Sequence, residues 1–209
     1  MLNSQTAESV IDHALLLGAD FAELFIEKNE TNVVSSLSNE VQSVESGINF
    51  GIGLRLIYGN KVLYGYTNKT DQDELLRIAS VLAAKDLRDP VSTSKSFNFS
   101  QISDIHPAQK ILSLDAEIES KVAYLMSADR AARAAGKQIS RTRGSCMQRE
   151  QYVEIYNSDG LHTSDKRNYI RANLTAIASD GDEQATGSWN DGGLLGWEIE
   201  AAINPQRTG

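Results

Sequence analysis

Over residues 49–66, apolar residues occupy every second position on both sides of a Gly-Asn pair. The even positions before that pair are apolar: Phe50, Ile52, Leu54 and Leu56. Alternation with a period of two around a two-residue turn predicts a β-hairpin. Gly51 and Gly53 fall on the opposite face, so we expect another group to approach the backbone closely there.

The rest of the first half predicts two helices around a sheet of about five strands. Apolar residues at helical spacing predict a first helix over residues 5–17, which ends before Gly18. Strands are expected at 21–27, 32–38 and 40–46, followed by the hairpin. Thr70 and Asp73 form a capping-box pattern that begins a second helix, which ends near Lys85.

The regular pattern disappears over residues 86–110, a serine-rich stretch that contains Pro90 and Pro107. Such composition is typical of a long connection between two units. We therefore expect an N-terminal subdomain at 1–88, a connection at 89–112 and a second subdomain at 113–209.

The second half predicts one long helix and then an antiparallel meander. The helix is expected over 113–135, where Gly136 ends it. A change to a period of two then predicts the following strands: 139–144, 151–157, 161–166, 168–178 and 183–187. The predicted fold class is α+β, with two units that each pack a helix on a mainly antiparallel sheet.

Charge and cysteine content narrow the functional class. The formal net charge of −8 over 209 residues argues against a nucleic-acid partner, because phosphate binding requires basic clusters. A single cysteine, Cys146, excludes an internal disulfide and is typical of a reducing compartment. No apolar run is long enough to span a membrane and the N-terminus lacks signal-peptide features, so the expected location is cytoplasmic.

The histidines form no local metal motif. His13, His106 and His162 are far apart, and no two of them share a helical face with a glutamate between them. A structural role is favoured for the first two, whereas His162, which follows a turn, stays a candidate site residue. Activation of Cys146 requires a nearby base or a lowered thiol pKa, and its neighbourhood in the sequence offers only basic residues such as Arg143, which argues against a catalytic thiol.

Residues 188–197 combine three glycines with both tryptophans of the chain. Large aromatic side chains among glycines can line a cleft, so the candidate substrate-binding residues are Trp189, Gly192, Gly193 and Trp197. Two core tryptophans that flank a turn are an equally good interpretation.

Several segments resemble the TldD/PmbA family of metallopeptidases, also known as modulators of DNA gyrase. The similar segments are GADFAELF at 18–25, GIGLR at 51–55, IYNSDG at 155–160 and GGLLGWE at 192–198. The resemblance runs from about residue 7 to residue 200 and concerns only the N-terminal portion of that family.

The resemblance implies zinc-dependent hydrolysis of unfolded or short peptides by a protein longer than this chain. The family uses a His-Glu-x-x-x-His helix and a later cysteine, and this sequence contains neither. We therefore expect zinc in the full-length protein, no metal ligand or catalytic residue in this chain, and no activity from this chain alone.

The resemblance also implies partners. A TldD-like protein is expected to form a homodimer, or a heterodimer with a relative, and this region is expected to help build the peptide cleft and the dimer. The alternatives are a non-catalytic PmbA-like partner subunit and a stand-alone protein-interaction module.

Overall fold

The computed structural model describes residues 2–86, 88–89, 94–102 and 116–198, and it has the predicted α+β fold. The helices are α1 (Ser4–Leu16), α2 (Gln72–Ala83) and α3 (Ile118–Ala134). The strands are β1 (Phe21–Leu37), β2 (Glu40–Tyr58), β3 (Lys61–Thr67), β4 (Ser100–Ile102), β5 (Ile139–Asn157), β6 (Leu161–Asp180) and β7 (Glu183–Gly193). None of the described helices is long and apolar enough to cross a membrane.

The strands form one sheet in the order β3-β2-β1-β5-β6-β4, and β7 also pairs with β6. The β2–β3 and β6–β7 pairs are antiparallel. The short strand β4 is parallel to the first three residues of β6. It lies within the stretch that the sequence pattern predicts as connection, where a three-residue strand gives no periodic signal.

The hairpin predicted at residues 49–66 is confirmed. Its strands pair from Ile52 opposite Thr67 to Tyr58 opposite Lys61, with Gly59 at a φ of 60° in the turn. Asp20 holds this turn, because its Oδ2 atom accepts hydrogen bonds from the Gly59 amide at 2.6 Å and from Arg88 at 2.7 Å. The bond from Arg88, followed by that from Gly59, lowers the pKa of the Asp20 carboxyl.

The strands are longer and fewer than predicted. The expected strands at 21–27 and 32–38 are one strand, β1, and that at 40–46 continues into the hairpin as β2. The polar residues 28–31 interrupt the apolar pattern but not the strand, which lies between β2 and β5 in the sheet. Ser38 and Asn39, both at positive φ, make the turn between the two strands.

The second meander differs from the prediction in the same way. The strands expected at 139–144 and 151–157 are parts of β5, and those at 161–166 and 168–178 are parts of β6. The last strand, β7, extends six residues beyond the predicted 183–187 and includes Trp189, Gly192 and Gly193. More than half of the glycine-rich segment 188–197 is therefore strand.

The helices lie close to their predicted ranges, with one correction at a cap. Asn3 caps α1 by accepting a hydrogen bond from the Thr6 amide at 2.7 Å. The N-cap of α2 is Asp71, which accepts from the Glu74 amide at 3.1 Å, and not Thr70. A carboxylate one residue later is the stronger cap, because it accepts from the amides and favours the positive helix end. Residues 113–115 of the predicted third helix lie outside the described residues.

Two compact units divide the chain, and each long strand contributes a segment to both. The first unit contains residues 1–28, 49–106 and 152–166, and the second contains 29–48, 107–151 and 167–209. In the first unit, α1 and α2 share a core with the buried side chains of β1 and β2, including Leu24, Ile26 and Leu56. In the second, Leu125 of α3 packs with Val34, Cys146 and Ile170. The division of the sequence into subdomains at 1–88 and 113–209, joined by a connection at 89–112, stays a prediction.

The glycines of the hairpin accommodate particular neighbours. The Tyr64 ring lies against Gly53, where a Cβ atom would be only 2.1 Å from the tyrosine hydroxyl oxygen. The group expected to approach this backbone is therefore a side chain of the hairpin itself. Gly65 lies under α2, and a Cβ atom there would be 2.8 Å from Cγ2 of Ile78.

We expect Gly65→Ala to lower the free energy of unfolding by about 1–3 kcal/mol, because the added methyl overpacks the α2 contact. Urea unfolding measures this change. Gly51→Ala is the matched control in the same hairpin, since its Cβ atom would meet no atom closer than 3.8 Å. Equal losses from the two substitutions would contradict the proposed role of Gly65.

Candidate functional site

The four predicted binding residues lie in two different environments within the second unit. Trp197 is 4% exposed and packs edge-on against Tyr124, with ring centroids 5.9 Å apart. Trp189 is half-buried against the same core. Gly192 and Gly193, in contrast, line an open groove. Substrate binding by these four residues stays a prediction, and the structure makes the glycines the more accessible pair.

The groove has a volume of about 430 Å³ and a mostly apolar wall. Its lining comes from β5, from β6 and from the end of β7: Met147, Tyr169, Ile170, Arg171, Asn190, Asp191, Gly192, Gly193 and Leu194. Met147 and Leu194 are 39% and 43% exposed, which is high for large apolar side chains. The groove therefore offers an apolar surface beside strand backbone.

Gly192 allows β7 to lie close to β6 at this groove. It pairs with Arg171, and a Cβ atom on it would be 2.2 Å from the Ile170 carbonyl oxygen. A backbone atom cannot move aside as a side-chain tip can, so any larger residue would separate the strands. The nearest atom to a Cβ on Gly193 is a Leu195 methyl carbon 3.9 Å away.

Among the described residues, β7 pairs only with β6 and therefore leaves its other edge without a neighbouring strand. An unpaired strand edge presents backbone N–H and C=O groups that can bind an extended peptide. The groove and this edge share residues 190–193 of β7. Together they form the candidate functional site.

His162, the remaining histidine candidate, belongs to a buried cluster in the first unit. Its Nε2 atom lies 3.0 Å from Oε1 of Glu154, and the Tyr156 hydroxyl donates to the same oxygen at 3.1 Å. The Tyr156 and His162 rings stack with centroids 4.1 Å apart, and Phe99 packs edge-on against Tyr156. Burial raises the pKa of the Tyr156 hydroxyl, which keeps it protonated as a donor. These contacts can fix the base of the β5–β6 hairpin.

The described residues contain no group of three or more histidine, cysteine, aspartate or glutamate side chains that could hold a metal ion. His13 interacts with Ser80 at 2.9 Å and His162 with Glu154, so the two described histidines lie in different environments. His106 lies outside the described residues. A catalytic zinc therefore does not fit the residues that the structure describes, and no hydrolytic step can be assigned to them.

Cys146 is buried in the core of the second unit. Burial raises the pKa of its thiol to about 11, although the nearby Lys121 partly opposes this effect. A buried thiol that stays protonated at neutral pH is a poor nucleophile. The structural role that the sequence favours is consistent with this environment.

Some residues of these sites carry no signal of their own in the sequence. The groove residues Met147, Tyr169 and Leu194 resemble ordinary strand residues, and only the pairing of β6 with β7 brings them together. The Tyr156–His162 pair could have been found, because a turn at residues 157–160 places the flanking positions opposite each other.

Comparison with known proteins identifies the family. Residues 22–85 match the family model described as PmbA/TldA metallopeptidase domain 1, and residues 111–205 match the PmbA/TldA metallopeptidase central domain. These two matches cover more than half of the chain, which therefore belongs to the PmbA/TldD metallopeptidase family.

A curated relative supports the same assignment. The chain is 21% identical over 207 residues to the metalloprotease TldD homolog of Haemophilus influenzae. That alignment covers 95% of this chain and 42% of the relative. The chain thus spans less than half the length of this relative.

Solved structures show the same fold. A Thermotoga maritima protein named for modulation of DNA gyrase has a TM-score of 0.74 at 12% identity, covering 98% of this chain and 45% of that protein. TldE from Thermococcus kodakarensis has a TM-score of 0.72 at 15% identity, covering 97% of this chain and 46% of TldE.

We expect Gly192→Ala to destabilise the chain by about 1–3 kcal/mol, because its methyl collides with the β6 backbone. Gly193→Ala is the adjacent control and should change the free energy of unfolding by less than about 0.5 kcal/mol. Urea unfolding of both variants distinguishes a packing requirement at Gly192 from a general preference for glycine. Equal changes in the free energy of unfolding for Gly192→Ala and Gly193→Ala would contradict a specific packing requirement at Gly192.

We expect iodoacetamide to alkylate Cys146 about a hundredfold more slowly in the folded chain than in urea at pH 8, because the thiolate is the reactive form. The folded-chain rate should rise about tenfold for each pH unit up to about pH 11, where half of the thiol is deprotonated. Mass spectrometry of timed samples gives both rates. Rates within tenfold of each other at pH 8 would contradict a protonated, buried thiol.

Proposed function

We propose that this chain is the N-terminal, substrate-cleft portion of a TldD-like zinc metallopeptidase that hydrolyses unfolded or short peptides. The observation that carries the proposal is the match of two successive domains of one metallopeptidase family. The zinc ligands and the hydrolytic residues lie, on this proposal, in a part of the protein that this sequence does not include. The substrate class and zinc are those that the family resemblance implies.

The candidate site supports a role in holding peptide. The open edge of β7 can add a peptide strand through main-chain hydrogen bonds, which recognise an extended chain without requiring a particular sequence. The apolar groove formed by Met147, Tyr169 and Leu194 can receive a side chain of that peptide. This chain's contribution is thus binding and orientation of substrate.

The proposal also includes assembly and location. The protein forms a homodimer or pairs with a TldD/PmbA relative in the cytoplasm, as the family resemblance implies. Size-exclusion chromatography with light scattering on the longer gene product tests the dimer, and a monomer at micromolar concentration would count against it.

The main alternative is a non-catalytic PmbA-like partner subunit. The likeness to TldE, at a TM-score of 0.72 and 15% identity, concerns the fold alone. The fold alone does not distinguish a catalytic TldD-like subunit from a non-catalytic PmbA-like subunit. The downstream sequence does, because a His-Glu-x-x-x-His helix beyond residue 209 favours the peptidase and its absence favours the partner or a stand-alone interaction module.

We expect Leu194→Asp, introduced into the gene product that includes the downstream sequence, to raise the KM for an unfolded peptide substrate several-fold. A charge in the apolar groove opposes side-chain binding there. Val81→Asp, at a 50% exposed position on α2, is the control. Peptide turnover gives KM, and metal analysis gives the zinc content.

The zinc content should be the same in the two variants, because neither residue belongs to the expected metal site. An unchanged KM in Leu194→Asp would exclude the groove as substrate surface. An inactive, zinc-free parent protein would instead count against the peptidase proposal itself. The chain of 209 residues alone should bind no stoichiometric zinc.

A further inference from the structure

The sheet of the second unit has one side that α3 covers and one that it does not. Even-numbered side chains of β1, β5 and β6, such as Val34, Cys146 and Ile170, pack with Leu125 of α3. Successive residues of a strand point to opposite faces, so the odd-numbered side chains of these strands lie on the other side. Because α3 is the only helix that the structure describes in this unit, no described helix covers that side.

Hydrogen bonds between side chains show that β2 and β7 contribute to the same uncovered side. Ser43 of β2 bonds to Ser35 of β1 at 2.7 Å, and Ser188 of β7 bonds to Thr175 of β6 at 3.0 Å. Odd positions of β2 and even positions of β7 therefore belong to the uncovered side.

Arginine dominates the charged residues of this side, which we call the arginine face. In the second unit, its charged positions on the five long strands are Glu45, Arg141, Arg143, Arg149, Arg167 and Arg171. The whole chain has 28 acidic residues and 20 lysines and arginines, so a face that served only solubility is expected to carry more acids than bases. Five arginines against one glutamate are the opposite excess.

Three of these arginines are exposed and form no side-chain hydrogen bond or ion pair with the described residues: Arg141, Arg143 and Arg171. Arg149 and Arg167, in contrast, take part in other interactions. Glu45 lies on β2, which β1 separates from β5. Asp191, which also borders the groove, lies opposite Ala172 and therefore on the α3 side. The three guanidinium groups thus present positive charge to solvent without a described counter-ion.

The spacing of the three arginines suits an extended chain. Arg141 and Arg143 occupy alternate positions of β5, so their Cα atoms are about 7 Å apart. The Asn173 amide of β6 donates to the Ser145 hydroxyl of β5 at 2.7 Å, which places Arg171 beyond this pair from Arg143. Alternate side chains of an extended peptide repeat at the same distance of about 7 Å. A peptide that lies along β5 can therefore present several side chains to these arginines.

We propose that the arginine face binds an acidic segment of the peptide substrate, whose aspartate and glutamate carboxylates pair with Arg141, Arg143 and Arg171. A guanidinium group can donate to both oxygens of a carboxylate. Arginine is enriched and lysine depleted at protein interfaces, and all five cations of this face are arginines. The occupant rests on the proposed function, to which the arginine face adds a preference for acidic peptides.

A nucleic acid fits the arginine face less well than an acidic peptide. Proteins that bind DNA commonly contact about six to ten phosphates, and this face offers three arginines without described partners. The formal net charge of −8 also repels a long polyanion more than a peptide that carries a few carboxylates.

Binding of labelled peptides to the 209-residue chain tests the proposal without turnover. The acidic probe is an unstructured peptide of glycine and serine with glutamate at every second position, and the neutral probe has glutamine at those positions. Fluorescence anisotropy should show at least about tenfold tighter binding of the acidic probe, since several exposed ion pairs add. This advantage should decrease at high salt, which screens exposed charges.

Single substitutions locate the binding surface. Arg143→Gln and Arg171→Gln should each weaken binding of the acidic probe about two- to fivefold, the range for one exposed ion pair, and leave the neutral probe unaffected. Arg130→Gln is the matched control, because it removes the same charge from an exposed position of α3 on the other side of the sheet. The melting temperature of each variant verifies that it is folded.

Three results would overturn the proposal: equal affinity of the unsubstituted chain for the two probes, an equal loss from Arg130→Gln and Arg143→Gln, or tighter binding of a single-stranded oligonucleotide of the same charge. The first needs no variant to fold. If the longer gene product hydrolyses the neutral probe while this chain shows no preference for the acidic one, the acidic selection is wrong and the proposed function stands. An inactive longer gene product, with the preference retained, would count against the peptidase and support the acidic-peptide surface.

Discussion

The alternation of side chains across the sheet is the constraint on which this structure depends. In a strand, successive side chains point to opposite faces, so the residues that build the core also fix where their neighbours lie. Ile170 of β6 is buried against the α3 side, and Tyr169 and Arg171 consequently belong to the other face. The groove exists because these odd positions gather beside Met147 and the end of β7.

Much of the fold could be predicted because its signals are local. The α1 helix and the 49–66 hairpin depend on periodicity and turn residues, and the structure has both where the sequence places them. The merged strands could not be predicted in this way. Their polar stretches lack alternation, and what keeps them extended is hydrogen bonding to strands that are distant in the sequence.

The site shows a similar division between local and distant information. The glycines and tryptophans of 188–197 stand out by composition, but composition does not distinguish a core tryptophan such as Trp197 from an exposed one. Met147 and Tyr169 enter the groove only through pairing across strands. Arg143 and Arg171 lie on one face only because of the register in which β5 pairs with β6.

The two units differ in how their interiors are built. Both bury polar side chains, but among the described residues four of these lie in the first unit and seven in the second. Asp129 is satisfied there by Arg133 and Thr142. Gln148 and Asn168 are buried, and their side-chain amides form no hydrogen bond with any described residue. The stability of the second unit therefore depends more than that of the first on hydrogen bonds to buried polar side chains.

The length of the strands limits how this family can change over evolution. A deletion of one residue inside β2 would move every following side chain to the opposite face, so that the glycine positions would enter the core and Leu54 and Leu56 would enter solvent. Insertions and deletions are tolerated only where this inversion does not occur. Aligned relatives should therefore have their gaps at the turns 38–39, 59–60, 158–160 and 181–182, while residues within the strands vary only by substitution.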